Sequence, residues 1–334
     1  MKEALFYERL DSKIRCKLCP RECVIPPDQV GFCRVRQNKN GKLVSLVYGK
    51  PCSVAIDPIE KKPLFHFAPG TSCVSFSTVG CNLDCKFCQN WEISHPDRVF
   101  GEDVPPEKMI DLVKEHELPG IAYTYTEPTI FYEYALDIMK LAKKNGLYNV
   151  WVSNGYINPE PAKKIAKYLD AINVDLKGDP RFYRDLCGIS SEEPVKNALK
   201  IYKKSGVWIE ITNLVIPGYN DRDEQLRLVA EWVVKNLGKD TPYHISRFFP
   251  QFKLTNVEPT PLNTLERAAR IAEDAGLRYV YIGNVYMHPK ESTYCPKCGS
   301  VMIKRAGYHI EYIRLECENC GEKIPIAGKK WLTT

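Results

Sequence analysis

The residues best suited to chemistry are three closely spaced cysteines, Cys81, Cys85 and Cys88, in the run Cys-Asn-Leu-Asp-Cys-Lys-Phe-Cys. They follow a predicted strand and Gly80 directly, so we expect them on a loop. Three thiolates at this spacing can bind three irons of a four-iron cluster and leave the fourth iron open for reaction. The alternative is a zinc knuckle completed by the nearby His95.

A second set consists of two Cys-x2-Cys pairs separated by eighteen residues, Cys295 with Cys298 and Cys317 with Cys320. This spacing is typical of a zinc ribbon, in which four thiolates form a closed tetrahedral structural site. A rubredoxin-like iron site uses the same ligands, and zinc is the preferred metal of the two.

A third set, Cys16, Cys19, Cys23 and Cys33, lies near the beginning of the chain. Its first three members fall within eight positions and allow either zinc or an auxiliary four-iron cluster, with zinc slightly preferred. Uncoordinated thiols are not expected, because this segment is too short and polar to bury several cysteines without a metal. The three sets contain eleven of the fourteen cysteines. In a reducing compartment such clusters indicate metal binding rather than disulfides.

The elements that must position these cysteines alternate between short apolar runs and amphipathic segments from about residue 73 onward. Proline and Asn-Gly or Leu-Gly pairs bound the predicted helices. The predicted strands are 74–79, 121–126, 150–153, 171–176, 208–216, 243–248 and 279–284, and the clearest predicted helices are 105–116, 130–144 and 221–236.

This alternation predicts an α/β fold, a partial or complete (β/α) barrel with polar motifs at the carboxyl ends of its strands. The alternative is an open doubly wound sheet. The barrel is preferred because polar motifs follow nearly every strand rather than one switch point. We predict a Cys-rich cap over residues 1–70, the barrel over 71–290 and a zinc-ribbon-like tail over 291–334.

The composition is that of an ordinary globular protein of 334 residues with a net charge of +6. The charges are mixed along the chain without a dense basic tract, so nothing indicates nucleic-acid binding. Met1 to Arg15 lack the apolar core of a signal peptide, and no stretch approaches eighteen uncharged apolar residues. We therefore expect a cytoplasmic protein that does not associate with membranes.

The spacing Cys-x3-Cys-x2-Cys, with Phe87 directly before the last cysteine, resembles the signature of the radical S-adenosylmethionine (SAM) superfamily. The resemblance implies that SAM chelates the fourth iron and that Phe87 lies against the adenine. It also implies that the reduced cluster cleaves SAM to methionine and a 5′-deoxyadenosyl radical. That radical then abstracts hydrogen from a substrate.

Within that superfamily, motifs over roughly residues 74–250 resemble those of glycyl-radical-enzyme activases such as pyruvate formate-lyase activating enzymes. The resemblance implies contacts to SAM from Ser153, Asn154, Asp175, Lys177 and His244. The segments that carry it are Cys88-Gln89-Asn90, Ser153-Asn154-Gly155, Asp175-Leu176-Lys177, Pro217-Gly218 and Pro242-Tyr243-His244.

One segment departs from the activase pattern. Where activases have Gly-Gly-Glu-Pro to bind the SAM amino group, this chain has Tyr125-Thr126-Glu127-Pro128. Thr126 and Glu127 remain candidates for this contact, while the Tyr125 and Thr126 side chains must point elsewhere or reshape the pocket. The activase aspartate that helps to hold a monovalent cation is replaced by Val152, which puts a cation site in doubt.

The combined arrangement of cysteine sets resembles the radical SAM enzymes of the AmmeMemoRadiSam system. That resemblance covers almost the full length and implies Memo-like and AMMECR-like partner proteins. The superfamily also implies reduced flavodoxin or ferredoxin as the electron donor. The supporting segments are 16–33, 46–50, 57–66, 78–82 and 88–94.

Three functional hypotheses follow. The first is a radical SAM enzyme, of the oxidoreductase or activating type, that abstracts hydrogen from a protein. The second is a radical SAM enzyme that acts on a small molecule, and the third is a non-catalytic metal-bound adaptor. No catalytic residue is identified beyond Cys187, which could relay a radical; a small buried hydrophobic residue is the preferred interpretation of this cysteine.

Overall fold

The computed structural model describes residues 1–332 as an α/β protein. Its strands are β1 (Lys2–Glu3), β2 (Tyr7–Leu10), β3 (Lys13–Cys16), β4 (Val24–Ile25), β5 (Arg36–Lys39), β6 (Lys42–Ser45), β7 (Ser53–Pro58), β8 (Ser72–Ser77), β9 (Gly120–Tyr123), β10 (Tyr148–Ser153), β11 (Ala171–Asp175), β12 (Trp208–Val215), β13 (Tyr243–Arg247), β14 (Val280–Gly283), β15 (Thr293–Tyr294), β16 (Val301–Ala306) and β17 (His309–Ile313).

The α-helices are α1 (Trp91–Ser94), α2 (Pro106–Glu115), α3 (Tyr132–Lys144), α4 (Pro159–Ala166), α5 (Pro180–Phe182), α6 (Glu193–Lys204), α7 (Asp223–Leu237) and α8 (Leu262–Asp274). A π-helical turn, Tyr183–Cys187, continues α5. Short 3-10 helices cover Ile59–Lys61, Pro128–Phe131, Pro289–Glu291 and Lys329–Trp331.

The main sheet has eight strands in the sequential order β14-β13-β12-β11-β10-β9-β8-β7. Parallel pairing joins β8 to β9, β9 to β10, β12 to β13 and β13 to β14. Sequential parallel strands with intervening helices are the pattern of a partial (β/α) barrel. This confirms the predicted fold class, and all seven predicted strands are present with boundaries shifted by at most three residues. The eighth strand, β7, was not predicted.

The first compact unit contains residues 1–57, 72–172 and 193–207. Two small antiparallel sheets, β1-β6-β5 and β2-β3-β4, form its amino-terminal part. Strands β8 and β9 and the beginning of α3 share an aromatic core, in which the Phe76 ring meets the rings of Tyr123, Phe131 and Tyr134 at centroid distances of 5.1 to 5.6 Å. Such edge and tilted contacts are the usual packing of buried aromatic rings.

The second compact unit contains residues 58–71, 173–192 and 208–332 of the described chain. Helices α7 and α8 pack together, and β12, β13 and β14 run side by side. The antiparallel sheet β15-β16-β17 forms its carboxyl-terminal part around a cluster that includes Met302, Ile303 and Ile324. The division into a cap (1–70), a barrel (71–290) and a tail (291–334) stays a prediction, and residues 333 and 334 of that tail lie outside the described residues.

No helix within residues 1–332 is both long enough and apolar enough to cross a membrane.

Candidate functional site

Cys81 lies four positions after the last residue of β8, and Gly80 fixes the entry to its loop. Gly80 has φ +101°, and a Cβ at this position would lie 2.7 Å from the Cys33 carbonyl oxygen. Both the backbone angle and the close approach require glycine. Cys81, Cys85 and Cys88 are each partly exposed. The loop therefore presents three thiols from a backbone that is packed against the amino-terminal cysteine segment.

Two N–H groups point at the Cys81 sulfur. The Leu83 backbone nitrogen lies 3.5 Å from Cys81 Sγ, and Asn154 Nδ2 lies 3.8 Å from it. Burial raises the pKa of the Cys81 thiol well above its ordinary value, and the charges of Glu127, Cys85 and Cys88 act in the same direction. N–H donors to a cysteine sulfur are a common feature of iron–sulfur ligation, where a bound metal keeps the thiolate deprotonated.

The distances between the Cys81, Cys85 and Cys88 sulfurs distinguish the two sites that their spacing allows, a four-iron cluster and a zinc knuckle. Throughout residues 1–332, the one group of three or more His, Cys, Asp or Glu ligand atoms within 4.8 Å of one another lies elsewhere, at Cys295, Cys298, Cys317 and Cys320. The Cys81 set is thus spread more widely than one zinc ion requires, as expected when each thiolate binds a different iron. His95 Nε2 lies 3.1 Å from Asp84 Oδ1. The residues fit a cluster better than a zinc knuckle.

Glu127, predicted as a SAM contact, is 1 % exposed and is surrounded by protein donors. Its Oε1 accepts from Thr129 N at 2.9 Å, Thr129 Oγ1 at 2.6 Å and Ser153 Oγ at 2.9 Å, and its Oε2 accepts from Asn154 N at 2.8 Å. It also caps the 3-10 helix that leads into α3. Burial raises the pKa of Glu127. This carboxylate therefore positions the Ser153-Asn154 loop after β10.

Asn154 connects that loop to the cysteine loop. Its Nδ2 donates to Asn82 Oδ1 at 2.9 Å, its Oδ1 accepts from Tyr156 N at 2.9 Å, and Asn82 Nδ2 donates to the Tyr156 carbonyl at 2.7 Å. Phe87 is 5 % exposed, so its ring is packed within the same unit. The first unit therefore joins Glu127, Ser153 and Asn154 by hydrogen bonds, and it also contains the predicted contacts Phe87 and Thr126.

The segment that departs from the activase pattern has an unusual backbone. Tyr125 adopts φ +64°, a left-handed conformation that favours glycine. Its hydroxyl donates to Asp57 Oδ2, and its carbonyl accepts from Asn90 Nδ2 at 2.7 Å. The Thr126 hydroxyl donates to the Thr78 carbonyl at 2.8 Å. Both side chains thus have partners within the first unit.

The second unit holds Asp175, Lys177 and His244. Lys177 Nζ lies 2.6 Å from Asp175 Oδ2, and the Lys177 carbonyl accepts from Asn220 Nδ2 at 2.7 Å. Lys177 is buried, whereas the Asp175 side chain is 35 % exposed. The Asp-Leu-Lys motif therefore forms an ion pair at the end of β11.

His244 is buried on β13 and paired with an acid that sequence reasoning missed. His244 Nε2 lies 2.7 Å from Glu210 Oε2. Glu210 also accepts from Phe65 N, His66 N and Trp208 Nε1 at 2.7 to 3.1 Å. Burial alone would raise the pKa of Glu210, but His244 and His66 outweigh it and lower that pKa. The sequence signal for this buried acid is the position of Glu210 inside the apolar run Trp-Ile-Glu-Ile.

A comparison with known protein families matches residues 75–229 to the radical SAM superfamily. The chain is also 48 % identical over 334 residues to an uncharacterized protein of Methanocaldococcus jannaschii, covering 98 % of this chain and 99 % of that protein. Residues 75–229 of this chain form a radical SAM superfamily domain. Such a domain implies a [4Fe-4S] cluster and SAM as cofactors.

This radical SAM protein is related to glycyl-radical-enzyme activases. It is 24 % identical over 234 residues to the pyruvate formate-lyase 1-activating enzyme of Escherichia coli K12, covering 64 % of this chain and 93 % of that enzyme. A radical SAM methyltransferase of Sphaerobacter thermophilus shares the fold, with a TM-score of 0.52 at 15 % identity over 70 % of this chain and 71 % of the other.

The radical SAM protein carries its carboxyl-terminal thiols in a different arrangement. Cys295 Sγ lies 3.5 Å from Cys320 Sγ, and Cys298 Sγ lies 3.4 Å from Cys317 Sγ. All four sulfurs lie within 4.8 Å of one another. With a Zn–S bond of about 2.3 Å, tetrahedral thiolates lie about 3.8 Å apart. The four residues fit a single metal ion and are consistent with the predicted zinc-ribbon-like tail.

Cys187 is fully buried at the end of the π-helical turn of the second unit. Its role in radical transfer stays a prediction, and its burial is that of the small hydrophobic residue preferred from the sequence.

Proposed function

We propose that this chain is a radical SAM enzyme that binds a [4Fe-4S] cluster on Cys81, Cys85 and Cys88. When bound, the reduced cluster and SAM supply one-electron cleavage to methionine and a 5′-deoxyadenosyl radical, which takes hydrogen from a substrate. The observation that carries the proposal is the set of three cysteines, whose sulfurs do not all lie within 4.8 Å of one another as one ion would require, on a loop held by Asn82 and Asn154.

The chain's own residues divide into contacts and supports. We assign contacts with SAM to Phe87, Asn154, Asp175, Lys177 and His244, which offer a ring, an amide, a carboxylate, an ammonium and an imidazole. We assign Glu127 and Ser153 to positioning, because Ser153 Oγ donates to Glu127 and Glu127 accepts from the Asn154 backbone, so that both hold the loop that carries Asn154. Thr126, whose hydroxyl donates to Thr78, offers its backbone rather than its side chain.

A protein is the preferred substrate class. The relative of Escherichia coli is named for activating pyruvate formate-lyase, which is itself a protein. We therefore propose hydrogen abstraction from a backbone or side-chain carbon of a protein, in the manner of an activase. Reduced flavodoxin or ferredoxin is the proposed electron donor, and Memo-like and AMMECR-like proteins are the proposed partners.

The cleavage reaction tests the enzyme assignment directly. The anaerobically reconstituted chain is reduced with dithionite in the presence of SAM, and 5′-deoxyadenosine and methionine are measured by chromatography. We expect both products from the wild type and from Cys52→Ser, a cysteine outside the three sets, and neither from Cys85→Ala. Equal product from the wild type and Cys85→Ala would reject the proposal.

Isotope transfer tests the substrate class. A candidate partner protein is deuterated, and deuterium in 5′-deoxyadenosine or SAM is followed by mass spectrometry. We expect label from the protein. Label that comes from deuterated small metabolites while the protein donates none would replace the protein-substrate proposal with the small-molecule one.

We also propose zinc at Cys295, Cys298, Cys317 and Cys320. Four thiolates gathered around one point form a closed site that contributes to folding rather than to chemistry. Metal analysis of the purified chain is expected to give about one zinc, lost in Cys298→Ser/Cys320→Ser. Retention of this zinc in the double variant would contradict the assignment.

A further inference from the structure

The four amino-terminal cysteines line one cavity in the first unit. Cys16, Cys19, Cys23 and Cys33 border an empty volume of about 370 Å³, part of it open to solvent, together with apolar side chains such as Ile25 and Ile130. Antiparallel pairing of β3 with β4 brings the segments around Cys16 and Cys23 together, and Cys16 N donates to the Cys23 carbonyl at 3.0 Å. The fold thus gathers thiols that lie up to seventeen positions apart.

These thiols are not arranged around a single ion. Within residues 1–332, the carboxyl-terminal thiols form the one group of three or more potential ligand atoms that converges within 4.8 Å. The sulfurs of the amino-terminal set, like those of the Cys81 set, do not converge within 4.8 Å, and their residues line a cavity. A cluster satisfies such a set because each thiolate binds its own iron and inorganic sulfide fills the space between them.

The cavity wall also supplies donors that a sulfide could use. Arg36 lines the cavity, is 2 % exposed, and its Nε–H has no acceptor within the described part of the chain. Its terminal nitrogens are held by the Glu133 carboxylate at 3.0 Å and by the Leu5 carbonyl at 2.7 Å. The Phe32 backbone nitrogen lies 3.5 Å from Cys23 Sγ. Thiolates accept such N–H groups in a zinc site as well as in a cluster, but only a cluster adds inorganic sulfides as acceptors inside the cavity, where the Arg36 Nε–H has none.

This cavity adjoins the Cys81 loop. Asn82 lines it, Arg21 Nε donates to the Asn82 carbonyl at 2.5 Å, and the position of a Gly80 Cβ lies 2.7 Å from the Cys33 carbonyl oxygen. The backbones of Cys33, in the amino-terminal set, and of Gly80, which precedes Cys81, therefore lie in direct contact.

We infer that Cys16, Cys19, Cys23 and Cys33 bind an iron–sulfur cluster, rather than zinc, directly beside the loop of the radical SAM cluster. The zinc preference drawn from the spacing alone is thereby reversed. The site is independent of SAM cleavage, since it requires none of Cys81, Cys85 or Cys88.

Metal stoichiometry in the full chain tests the inference. Iron, sulfide and zinc are measured in four anaerobically reconstituted proteins: the wild type, the triple variant Cys81→Ala/Cys85→Ala/Cys88→Ala, the double variant Cys19→Ser/Cys23→Ser, and the combined variant. For two four-iron clusters we expect about eight iron, then about four, about four and nearly none, with about one zinc throughout. About four iron and two zinc in the wild type, with zinc lost in the double variant, would overturn the inference.

The triple variant keeps the test decisive even where the double variant fails to fold. After dithionite reduction it retains only the amino-terminal thiols as cluster ligands, so we expect a low-temperature electron paramagnetic resonance signal of about one spin per chain. A silent triple variant that holds no iron would reject the inference. SAM cleavage by the wild type would stand in either case.

Discussion

In each compact unit a buried glutamate hydrogen-bonds to one proposed SAM contact: Glu127 to Asn154 in the first unit and Glu210 to His244 in the second. The two glutamates differ in the groups that surround them. Glu127 lies in a loop after β9 and receives its hydrogen bonds from neutral groups of Thr129, Ser153 and Asn154. Glu210 lies inside β12 and faces the His244 ring, with backbone and indole donors around it.

The difference appears in the pKa values of the two acids. Burial raises the pKa of Glu127 and its neutral donors offset this only in part, while the imidazoles of His244 and His66 bring the pKa of Glu210 below its ordinary value. The pKa of Glu210 is thus lowered chiefly by its hydrogen bond to His244, with the two imidazoles and the Phe65 N–H acting in the same direction. Glu210 belongs to a network centred on His244, and Glu127 is a connector between loops.

The largest effect is expected from Glu210→Ala. It leaves the Phe65, His66 and Trp208 donors and the His244 ring without their shared acceptor in the core. We expect the free energy of unfolding to fall by about 3–5 kcal/mol, measured by chemical denaturation. Glu266→Ala removes the exposed acid near His288 and is expected to cost less than about 1 kcal/mol. Similar losses in both variants would contradict the network.

A smaller effect is expected from Glu127→Gln. The amide replaces one acceptor oxygen by a donor, which then faces the N–H and O–H groups of Thr129, Ser153 and Asn154. We expect a loss of about 1–3 kcal/mol in unfolding free energy. Because Asn154 loses its support, SAM affinity measured by equilibrium dialysis should fall about tenfold, the equivalent of about 1.4 kcal/mol. Glu160→Gln, on the exposed side of α4, is the control and should change neither quantity.

The pH dependence of stability should have opposite signs for the two acids. Because the folded pKa of Glu127 is raised above 4.5, its stabilising contribution is present below pH 4.5 and is lost as the pH rises through the folded pKa. Because that of Glu210 is lowered, its contribution is present above pH 4.5 and is lost as the pH falls through the folded pKa.

Denaturation series on the wild type, Glu127→Gln and Glu210→Gln measure these signs. We expect the stability of the wild type relative to Glu127→Gln to decrease with rising pH, and that relative to Glu210→Gln to increase. Each slope should be at most about 1.4 kcal/mol per pH unit. Slopes of the same sign would remove the distinction between the two carboxylates.

The smallest effect is expected from the left-handed backbone at Tyr125, two residues before Glu127. Glu210, in contrast, lies within the extended strand β12. Tyr125 has φ +64°, so Tyr125→Gly should be more stable than Tyr125→Ala by about 1 kcal/mol. Both variants lose the hydrogen bond to Asp57, and their comparison isolates the backbone term. Thermal denaturation of the two variants measures it, and an alanine variant as stable as the glycine variant would show that the loop relaxes.

Much of the fold was readable from the sequence, because apolar runs bounded by Gly, Pro and Asn report local structure. β7 was missed because it lies before the alternation of strands and helices that begins near residue 73, and because its apolar Val54 and Ile56 side chains are exposed rather than part of a buried run. The supports of the candidate site were not predictable in the same way. Glu210 and His244 are thirty-four positions apart, and only the parallel pairing of β12 with β13 brings them together.

The sequence by itself determined which atoms can bind metal: three thiols within eight positions, two pairs of thiols at ribbon spacing, and four more near the amino terminus. Short spacings suffice for this because a loop of a few residues cannot separate its own side chains far. The tertiary structure decided how far apart the thiols of each set lie, since strand pairing sets those distances. It gathers Cys295, Cys298, Cys317 and Cys320 around a point and spreads Cys16, Cys19, Cys23 and Cys33 around a cavity.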